Sequence, residues 1–258
     1  MKKTALITGA SSGIGMELAR VHAENGDDLI LVARSEEKMR DLANDLKEEF
    51  GTSITIIVKD LTEERSAREI YDIVHSKSLT VDYLINNAGF GGYGYFHERD
   101  NENLNSMMKV NMISLTWLMK YFLPDMIERR SGKIMNVTST AGFLPGPLQS
   151  VYHATKSYVL SLSQAVDEEV REHGITVTAV APGPVDTNFD KVADLEGSTI
   201  FKRAVSARSV AEKAYTAMMK GKLVEITDPG IRFAFRWLMP LVGRRARMKA
   251  VRKMMESR

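Results

Sequence analysis

The chain has 258 residues, of which 44% are hydrophobic and 26% charged, which is ordinary for a globular protein with a sizeable core. It has no cysteine, so disulfides and thiolate metal sites are excluded, and we expect no metal site. The absence of cysteine is compatible with a reducing compartment. The formal net charge of +2 is uneven: residues 229–258 hold nine Lys or Arg and one acid, for +8, which leaves −6 on residues 1–228 and does not indicate a nucleic-acid-binding protein.

The first predicted element is the strand TALIT at 4–8. The residues before it are basic, so the start superficially looks like a signal peptide, but the apolar run is short and leads directly into a glycine turn. We therefore interpret it as a strand and expect a cytoplasmic protein.

The turn TGASSGIG at 8–15 allows two interpretations. Its G-x-S-x-G pattern fits a hydrolase elbow with Ser11 as nucleophile, whereas Gly9, Gly13 and Gly15 fit a turn that holds a pyrophosphate. An elbow needs an oxyanion donor from an earlier loop, and no loop precedes the first strand. The order of strand, glycine turn and helix favours the phosphate interpretation.

Apolar runs of strand length then alternate with stretches of helical period. Further strands are predicted at 29–33, 54–58, 83–86, 133–137, 176–180 and 223–226. Helices are predicted near 14–25, 36–49, 63–76, 102–129, 152–172 and 207–220. Apolar strands separated by helices indicate one α/β domain at 1–228, a doubly wound, Rossmann-type parallel sheet of about seven strands. A basic, helical C-terminal extension follows at 229–258.

Two polar groups follow the later strands. Ser139 ends the strand at 133–137, at the sheet edge where doubly wound proteins bind ligands. YHATK places Tyr152 and Lys156 four residues apart, on one face of the next helix. We expect the ammonium group to favour the phenolate and to lower the pKa of Tyr152 toward a range useful for proton transfer.

With these motifs the sequence resembles the short-chain dehydrogenase/reductase family over residues 4–227. The resemblance is carried by TGASSGIG (8–15), Asp60, NNAG (86–89), Asn111, NVTSTAG (136–142), YHATK (152–156) and APGPVDT (181–187). It implies an oxidoreductase that interconverts a carbonyl and an alcohol by hydride transfer from a nicotinamide cofactor. It also implies a homodimer or homotetramer.

The resemblance further implies the role of each residue. Tyr152 would be the acid in reduction and the base in oxidation, and Ser139 would hold the substrate oxygen. Lys156 would bind the nicotinamide ribose and tune Tyr152, and Asn111 would hold a water that relays protons. The implied cofactor-binding residues are Gly9, Ser11, Ser12, Gly13, Ile14, Gly15, Arg34, Asp60, Leu61, Asn87, Ala88, Gly89, Tyr152, Lys156, Pro182, Gly183, Val185 and Thr187.

Structural alternatives remain for two of these residues. Asn111 could have a purely structural role as a hydrogen-bond partner of the backbone. Asp60 could cap the following helix. Two alternatives to an oxidoreductase also remain. The first is a non-catalytic dinucleotide-binding sensor or scaffold, and the second is a hydrolase that uses Ser11.

The second predicted strand ends in LVARSEE, with Arg34 nineteen residues after Gly15 and no acid at the strand end. An acid there binds the ribose 2′-hydroxyl of NAD, whereas an arginine accommodates the 2′-phosphate of NADP. The sequence therefore favours NADP over NAD. Glu36 and Glu37 oppose this if they face the site, and Arg34 could instead be a surface residue.

The substrate side is less defined. The loop at 188–206 is expected to be a substrate lid, and an apolar wall is predicted from Tyr93, Phe143, Leu148, Phe189 and Phe201. We expect an apolar small-molecule carbonyl or alcohol as substrate.

The tail begins with an apolar run at 231–242 that is too short and too often interrupted by arginine to span a bilayer. Its second half places Met248, Val251 and Met255 on one helix face. The tail either makes peripheral contact with a membrane surface or packs on the body or on a second subunit.

Overall fold

The computed structural model describes residues 2–195, 201 and 204–256. A seven-stranded parallel sheet in the order β3-β2-β1-β4-β5-β6-β9 forms its centre, and β7 and β8 pair separately. The strands are β1 (Thr4–Thr8), β2 (Asp28–Ala33), β3 (Ile54–Val58), β4 (Tyr83–Asn86), β5 (Gly132–Val137), β6 (Ile175–Ala181), β7 (Val185–Asp186), β8 (Val205–Ser206) and β9 (Val224–Ile226). The predicted doubly wound sheet is confirmed.

Helices cover both faces of this sheet. They are α1 (Gly13–Glu24), α2 (Glu36–Phe50), α3 (Ser66–Ser76), α4 (Asn101–Met108), α5 (Leu115–Arg129), α6 (Ser150–Val170), α7 (Phe189–Val192), α8 (Ala207–Met219), α9 (Pro229–Phe233) and α10 (Arg244–Glu256). The helix predicted at 102–129 is divided, because a π-helical segment, Lys109–Ser114, separates α4 from α5. The helix predicted at 63–76 begins only at Ser66.

Each strand contributes side chains to two cores, because successive side chains point to opposite faces of a sheet. On β1, Ala5 and Ile7 pack into the core beneath α1, α2 and α8, whereas Leu6 packs into the core beneath α3, α5 and α6. All three side chains are fully buried. This two-sided burial explains why the strands read as continuous apolar runs.

The chain changes direction in the sheet between β1 and β4. It first adds β2 and β3 on one side of β1, and then β4, β5, β6 and β9 on the other. In open α/β sheets, ligands bind at the carboxyl ends of the strands at such a reversal. The glycine turn after β1 and the NNAG segment after β4 meet there.

The C-terminal segment packs on the body through its inner face. Val251 and Met255 of α10 are buried against Leu148, Leu144 and Tyr93, while Met248 is only half-buried. Before α10, the apolar side chains of Phe233, Trp237, Leu238 and Leu241 remain exposed. Within the described part of the chain, no helix is both long and apolar enough to cross a bilayer.

Candidate active site

A cavity of about 2090 Å³ runs along the carboxyl edge of the sheet. Pockets for one small ligand usually measure about 300–1,000 Å³, so this space suits a dinucleotide together with a second molecule. Every predicted site residue lies on its wall except Gly15 and Asn111, which are not among its lining residues. The structure therefore brings residues from the ends of six strands, β1 to β6, to one place.

The glycine turn is packed too tightly for larger residues. Gly9 has φ +67°, a left-handed conformation that side chains disfavour. A Cβ atom on Gly15 would collide with the carbonyl oxygen of Gly9 and with the amide of Asn87. That amide donates to the Thr8 carbonyl oxygen at 2.9 Å, so Asn87 ties the end of β4 to the turn.

The start of α1 is suited to an anion. Ser12 is its N-cap residue but makes no capping hydrogen bond, and the first turn contains no acidic residue. The free N–H groups and the positive end of the helix dipole therefore face the cavity beside an available hydroxyl. Together with the cradle that Gly15 leaves open, these residues fit the pyrophosphate of a dinucleotide.

The end of β2 carries exposed positive charge. Arg34 has 78% of its side chain exposed and lies 3.8 Å from the carboxylate of Asp60. Ser35 and Lys38 line the cavity beside it, whereas Glu36 and Glu37 do not. Glu36 is instead bound by Arg40 at 2.9 Å. The glutamates that opposed an NADP site thus do not face it.

Asp60 lies at the end of the adjacent strand, β3. Its carboxylate accepts a hydrogen bond from the Thr62 backbone N–H at 2.8 Å, as in a local cap. Burial alone would raise the pKa of Asp60, but the Thr62 hydrogen bonds and the nearby Arg34 charge outweigh burial and lower this pKa. Asp60 therefore presents a negative charge at the edge of the cavity.

The loop after β6 closes over the glycine turn. A Cβ on Gly13 would lie 3.1 Å from the Thr187 methyl group, so the two segments are in contact. The Pro182 carbonyl oxygen accepts a hydrogen bond from the Thr140 N–H at 2.9 Å, which joins this loop to the segment that carries Ser139.

Tyr152 and Lys156 lie on the cavity-facing side of α6 and are only 8% and 5% exposed. The Lys156 ammonium is 5.8 Å from the centre of the Tyr152 ring and donates to the Val137 carbonyl oxygen at 2.9 Å. Ser139 lies two residues beyond the end of β5, and its hydroxyl is hydrogen-bonded to Tyr152. The three side chains therefore converge on one wall.

The expected lowering of the Tyr152 pKa is wrong for this structure. Burial raises the pKa of Tyr152 to about 12, although the Ser139 hydrogen bond acts in the opposite direction. Burial also lowers the pKa of Lys156 to about 8. Desolvation outweighs charge proximity because the ammonium donates to Val137 rather than to the phenol oxygen. At neutral pH the phenol is thus a proton donor.

Asn111 lies in the π-helical segment and is 1% exposed. Its amide accepts from the Phe90 N–H at 3.1 Å and donates to the Phe90 carbonyl oxygen and to the Thr155 hydroxyl, each at 3.0 Å. Asn111 therefore clamps the segment after β4 onto α6. It also lies close to Lys156, because a Cβ on Gly89 would be 3.1 Å from both side chains.

The substrate end of the cavity has a wall that the sequence predicted only in part. Phe189 and Phe201 line it, but Tyr93, Phe143 and Leu148 do not. Tyr93 and Leu148 are covered by α10, and Phe143 stacks on Phe235 with ring centres 5.1 Å apart. Residues 196–200, 202 and 203 of the predicted lid lie outside the described residues.

Much of this wall comes from the C-terminal segment. It is formed by Ile231, Ala234, Phe235, Met239, Val242, Arg247, Ala250, Val251, Met254 and Met255. One signal could have indicated this wall, namely the i, i+3, i+4 spacing of the residues at 247, 250, 251, 254 and 255. Lys38, at the opposite end, was missed because α2 is charged along most of its length.

The sequence matches the family model described as short chain dehydrogenase over residues 3–196. An uncharacterized oxidoreductase of Staphylococcus saprophyticus is 28% identical over 232 residues, 89% of this chain and 97% of that protein. The very-long-chain 3-oxoacyl-CoA reductase of Rattus norvegicus is 34% identical over 196 residues, 73% of this chain and 61% of the rat protein.

Solved structures share the fold. A short-chain dehydrogenase from Sphingobium yanoikuyae in complex with NADPH is 31% identical with a TM-score of 0.85, and the match covers 96% of this chain and 95% of that one. The bulky-bulky ketone specific alcohol dehydrogenase from Comamonas testosteroni is 31% identical with a TM-score of 0.81, covering 99% of this chain and 95% of that one. The second likeness includes the C-terminal segment.

Proposed function

Since this chain belongs to the short-chain dehydrogenase/reductase family and is an NAD(P)-dependent oxidoreductase that interconverts a carbonyl and an alcohol, we propose that it uses NADP(H) and acts on an apolar substrate. The observation that carries the proposal is the cavity itself. It joins Tyr152, Ser139 and Lys156 to a mostly apolar wall on one side and to the Arg34 end of β2 on the other. A non-catalytic sensor or scaffold is not favoured.

In this proposal the cofactor supplies or accepts the hydride, and the chain's residues handle the proton. The Tyr152 hydroxyl donates its proton to the substrate oxygen during reduction, while the Ser139 hydroxyl holds that oxygen. Lys156 replenishes the proton and binds the nicotinamide ribose. Asn111 holds the Phe90 segment and a relay water beside Lys156. The raised pKa of Tyr152, to about 12, keeps the phenol protonated at neutral pH, which is the form that reduction needs.

Arg34, Ser35 and Lys38 would bind the 2′-phosphate of NADP. The guanidinium is exposed and only loosely paired with Asp60, so a phosphate would gain a charge-assisted partner there. The pyrophosphate would lie at the start of α1, against Ser11, Ser12, Gly13 and Ile14. Asp60, Leu61, Asn87, Ala88 and Gly89 would line the adenosine, and Pro182, Gly183, Val185 and Thr187 the nicotinamide.

The same proposal divides the chain in two. Residues 1–228 form the cofactor-binding and catalytic domain, and residues 229–258 form an extension that closes the substrate end. The contacts of Val251 and Met255 with Leu148 support this division of work. A cytoplasmic location also remains part of it.

The exposed face of the extension supports peripheral contact with an anionic membrane. Phe233 and Trp237 are each 59% exposed and Leu241 is 84% exposed, and Arg236 lies over the Trp237 ring at 5.6 Å. Aromatic and basic side chains together suit a lipid–water interface. Co-sedimentation with anionic vesicles, reduced by salt and by Trp237→Glu, would support this contact, and no sedimentation would contradict it.

We also propose a homodimer or homotetramer. Ile113, in the π-helical segment, and Trp117, near the start of α5, are each 46% exposed, and Trp117 stacks on Tyr121. Such a face suits burial against a second copy. Trp117→Lys should shift the mass measured by light scattering toward the monomer, whereas an unchanged mass would argue against this face.

The function is tested by following NADPH absorbance with a panel of apolar ketones and aldehydes. Tyr152→Phe should reduce turnover about 10²- to 10⁴-fold, the range for lost acid–base catalysis, while NADPH binding is retained. Tyr158→Phe, on an exposed face of the same helix, is the matched control. Near-normal turnover of the Tyr152 variant would refute the assigned role, and no oxidation of NADPH with any carbonyl would refute the function.

A further inference from the structure

The cavity-facing stripe of α10 contains one charged residue. The residues of this helix that line the cavity are Arg247, Ala250, Val251, Met254 and Met255, and the other four are apolar. The remaining basic residues of α10 are not on the cavity wall. An arginine on the inward face of an otherwise apolar stripe needs a physical reason.

Within the described part of the chain, nothing neutralises this arginine. Its side chain is half-buried, and its Nε is buried without a hydrogen-bond partner. None of the ion pairs of the described residues involves its guanidinium group. A buried donor of a charged group without a partner is costly, so native proteins usually provide one. A ligand oxygen in the cavity would complete it.

Two acids, Asp100 and Glu102, also line this end of the cavity, and neither pairs with Arg247. Asp100 caps α4, where its carboxylate accepts the Asn103 N–H at 2.7 Å. Glu102 is exposed in the first turn of that helix, where it complements the helix dipole. Both carboxylates therefore have their own roles, and the guanidinium stays available.

The position of Arg247 relative to the proposed catalytic wall follows from helix geometry. Val251 packs against Leu148, four residues before Tyr152 in the chain, and Arg247 lies one turn, about 6 Å, further along α10. The wall of the same cavity includes apolar side chains such as Leu144 and Met254. A molecule that reaches from Tyr152 to Arg247 would have an apolar body and an anionic end.

We propose that Arg247 is the anion anchor of the substrate site and that the substrate is an elongated apolar carbonyl compound with an acidic group, such as a carboxylate, away from the reacting carbon. This inference rests on the proposed function for the reaction, but Arg247's affinity for an anion can be measured without turnover. The anchor acts on binding, so it should affect KM far more than kcat.

The binding test uses calorimetry on the full-length protein, with and without saturating NADP⁺. Octanoate should bind roughly 10- to 100-fold more tightly than octanamide, which has the same chain without the charge. Arg247→Met should remove this difference, and Arg247→Lys should retain part of it. Arg245→Met, a neighbouring exposed arginine, is the matched control and should retain all of it. Thermal unfolding checks that each variant is folded.

Equal affinities for octanoate and octanamide in the unaltered protein would overturn the proposal, as would an unchanged preference in a folded Arg247→Met protein. A turnover experiment distinguishes failure of the anion anchor from failure of the proposed function. A keto acid and its methyl ester are compared with NADPH, and the acid should have the lower KM only while Arg247 is present. If neither is reduced, the proposed function fails, whereas the calorimetric result still decides the anion anchor.

Discussion

Single residues in this site act through the balance of burial and charge. Tyr152 and Lys156 are both buried, and burial shifts their pKa values in opposite directions, up to about 12 for Tyr152 and down to about 8 for Lys156. The neutral phenol is favoured over the phenolate. Of these two groups, Lys156 is the one whose charge changes closer to physiological pH.

The pH dependence of ketone reduction should reflect Lys156. Its pKa is lowered, so it is charged below about pH 8 and loses its proton as the pH rises through that value. The kcat/KM with NADPH should be constant near neutrality and fall above about pH 8, because replenishment of the Tyr152 proton fails. Lys156→Met should remove this limb. A kcat/KM that rises through the same range would contradict the assignment.

Cofactor preference should depend on Arg34. Charge-assisted hydrogen bonds contribute about 1.5–3 kcal/mol each, so NADPH should bind at least ~10-fold more tightly than NADH. Arg34→Ala should weaken NADPH binding selectively, and Arg34→Asp should shift the preference toward NADH. Titration of both cofactors by intrinsic fluorescence measures this, with Arg40→Ala, on the following helix α2, as control. Unchanged NADPH affinity in Arg34→Ala would exclude the 2′-phosphate contact.

At the scale of elements, the turn between β1 and α1 depends on shape more than on any side chain. Gly15 supports the turn from behind and does not line the cavity. Its backbone approaches Gly9 and Asn87 so closely that a methyl group has no room.

Gly15→Ala should therefore weaken binding of both NADPH and NADH by at least ~10-fold, because the added methyl displaces the turn that binds the shared pyrophosphate. This differs from the Arg34 variants, which separate the two cofactors. Gly243→Ala, where a Cβ meets nothing within 4 Å and the backbone is not left-handed, serves as a control for glycine replacement in general. If affinity for both cofactors is retained in Gly15→Ala, the turn does not hold the pyrophosphate.

The elements were predictable wherever a local pattern defines them. The strands of the central sheet are apolar runs such as LILVA, so all seven were placed within a few residues. The break at Lys109–Ser114 was not predicted, because a π-helical segment interrupts hydrogen bonding without interrupting the apolar pattern. Tyr93 and Leu148 were misassigned for a different reason. Their burial depends on α10, more than one hundred residues later in the chain.

At the scale of the whole molecule, the two ends of the cavity are built from different parts of the chain. The first three strands and the turns that follow them form the end with Arg34 and Asp60, and α9 and α10 form much of the opposite wall. Changes in the C-terminal segment should thus affect substrate and cofactor differently.

Truncation after Asp228 tests this division. NADPH affinity should remain within a few-fold of the full-length protein, while kcat/KM for an apolar ketone should fall at least ~10-fold as the wall is lost. The truncation removes Val251 and Met255, and the burial of each side chain contributes about 1.5–3 kcal/mol to the stability of the fold. The melting temperature should therefore also fall. Fluorescence titration, steady-state kinetics and thermal unfolding measure the three effects. Unaltered ketone kinetics would show that the segment takes no part in the site.

The position of α10 after all the strands of the central sheet also sets an order of assembly during synthesis. Six of the seven strands of the central sheet, and every residue that surrounds the glycine turn, precede α8, and β9 adds only at the edge of the sheet. Domains begin to fold while the ribosome is still adding residues. The nascent chain can therefore complete its nucleotide groove before Arg247 and Met255 have been polymerised, and a bound nucleotide would stabilise that unfinished chain by mass action. The substrate chamber is closed only after the nucleotide groove, when α10 has been added.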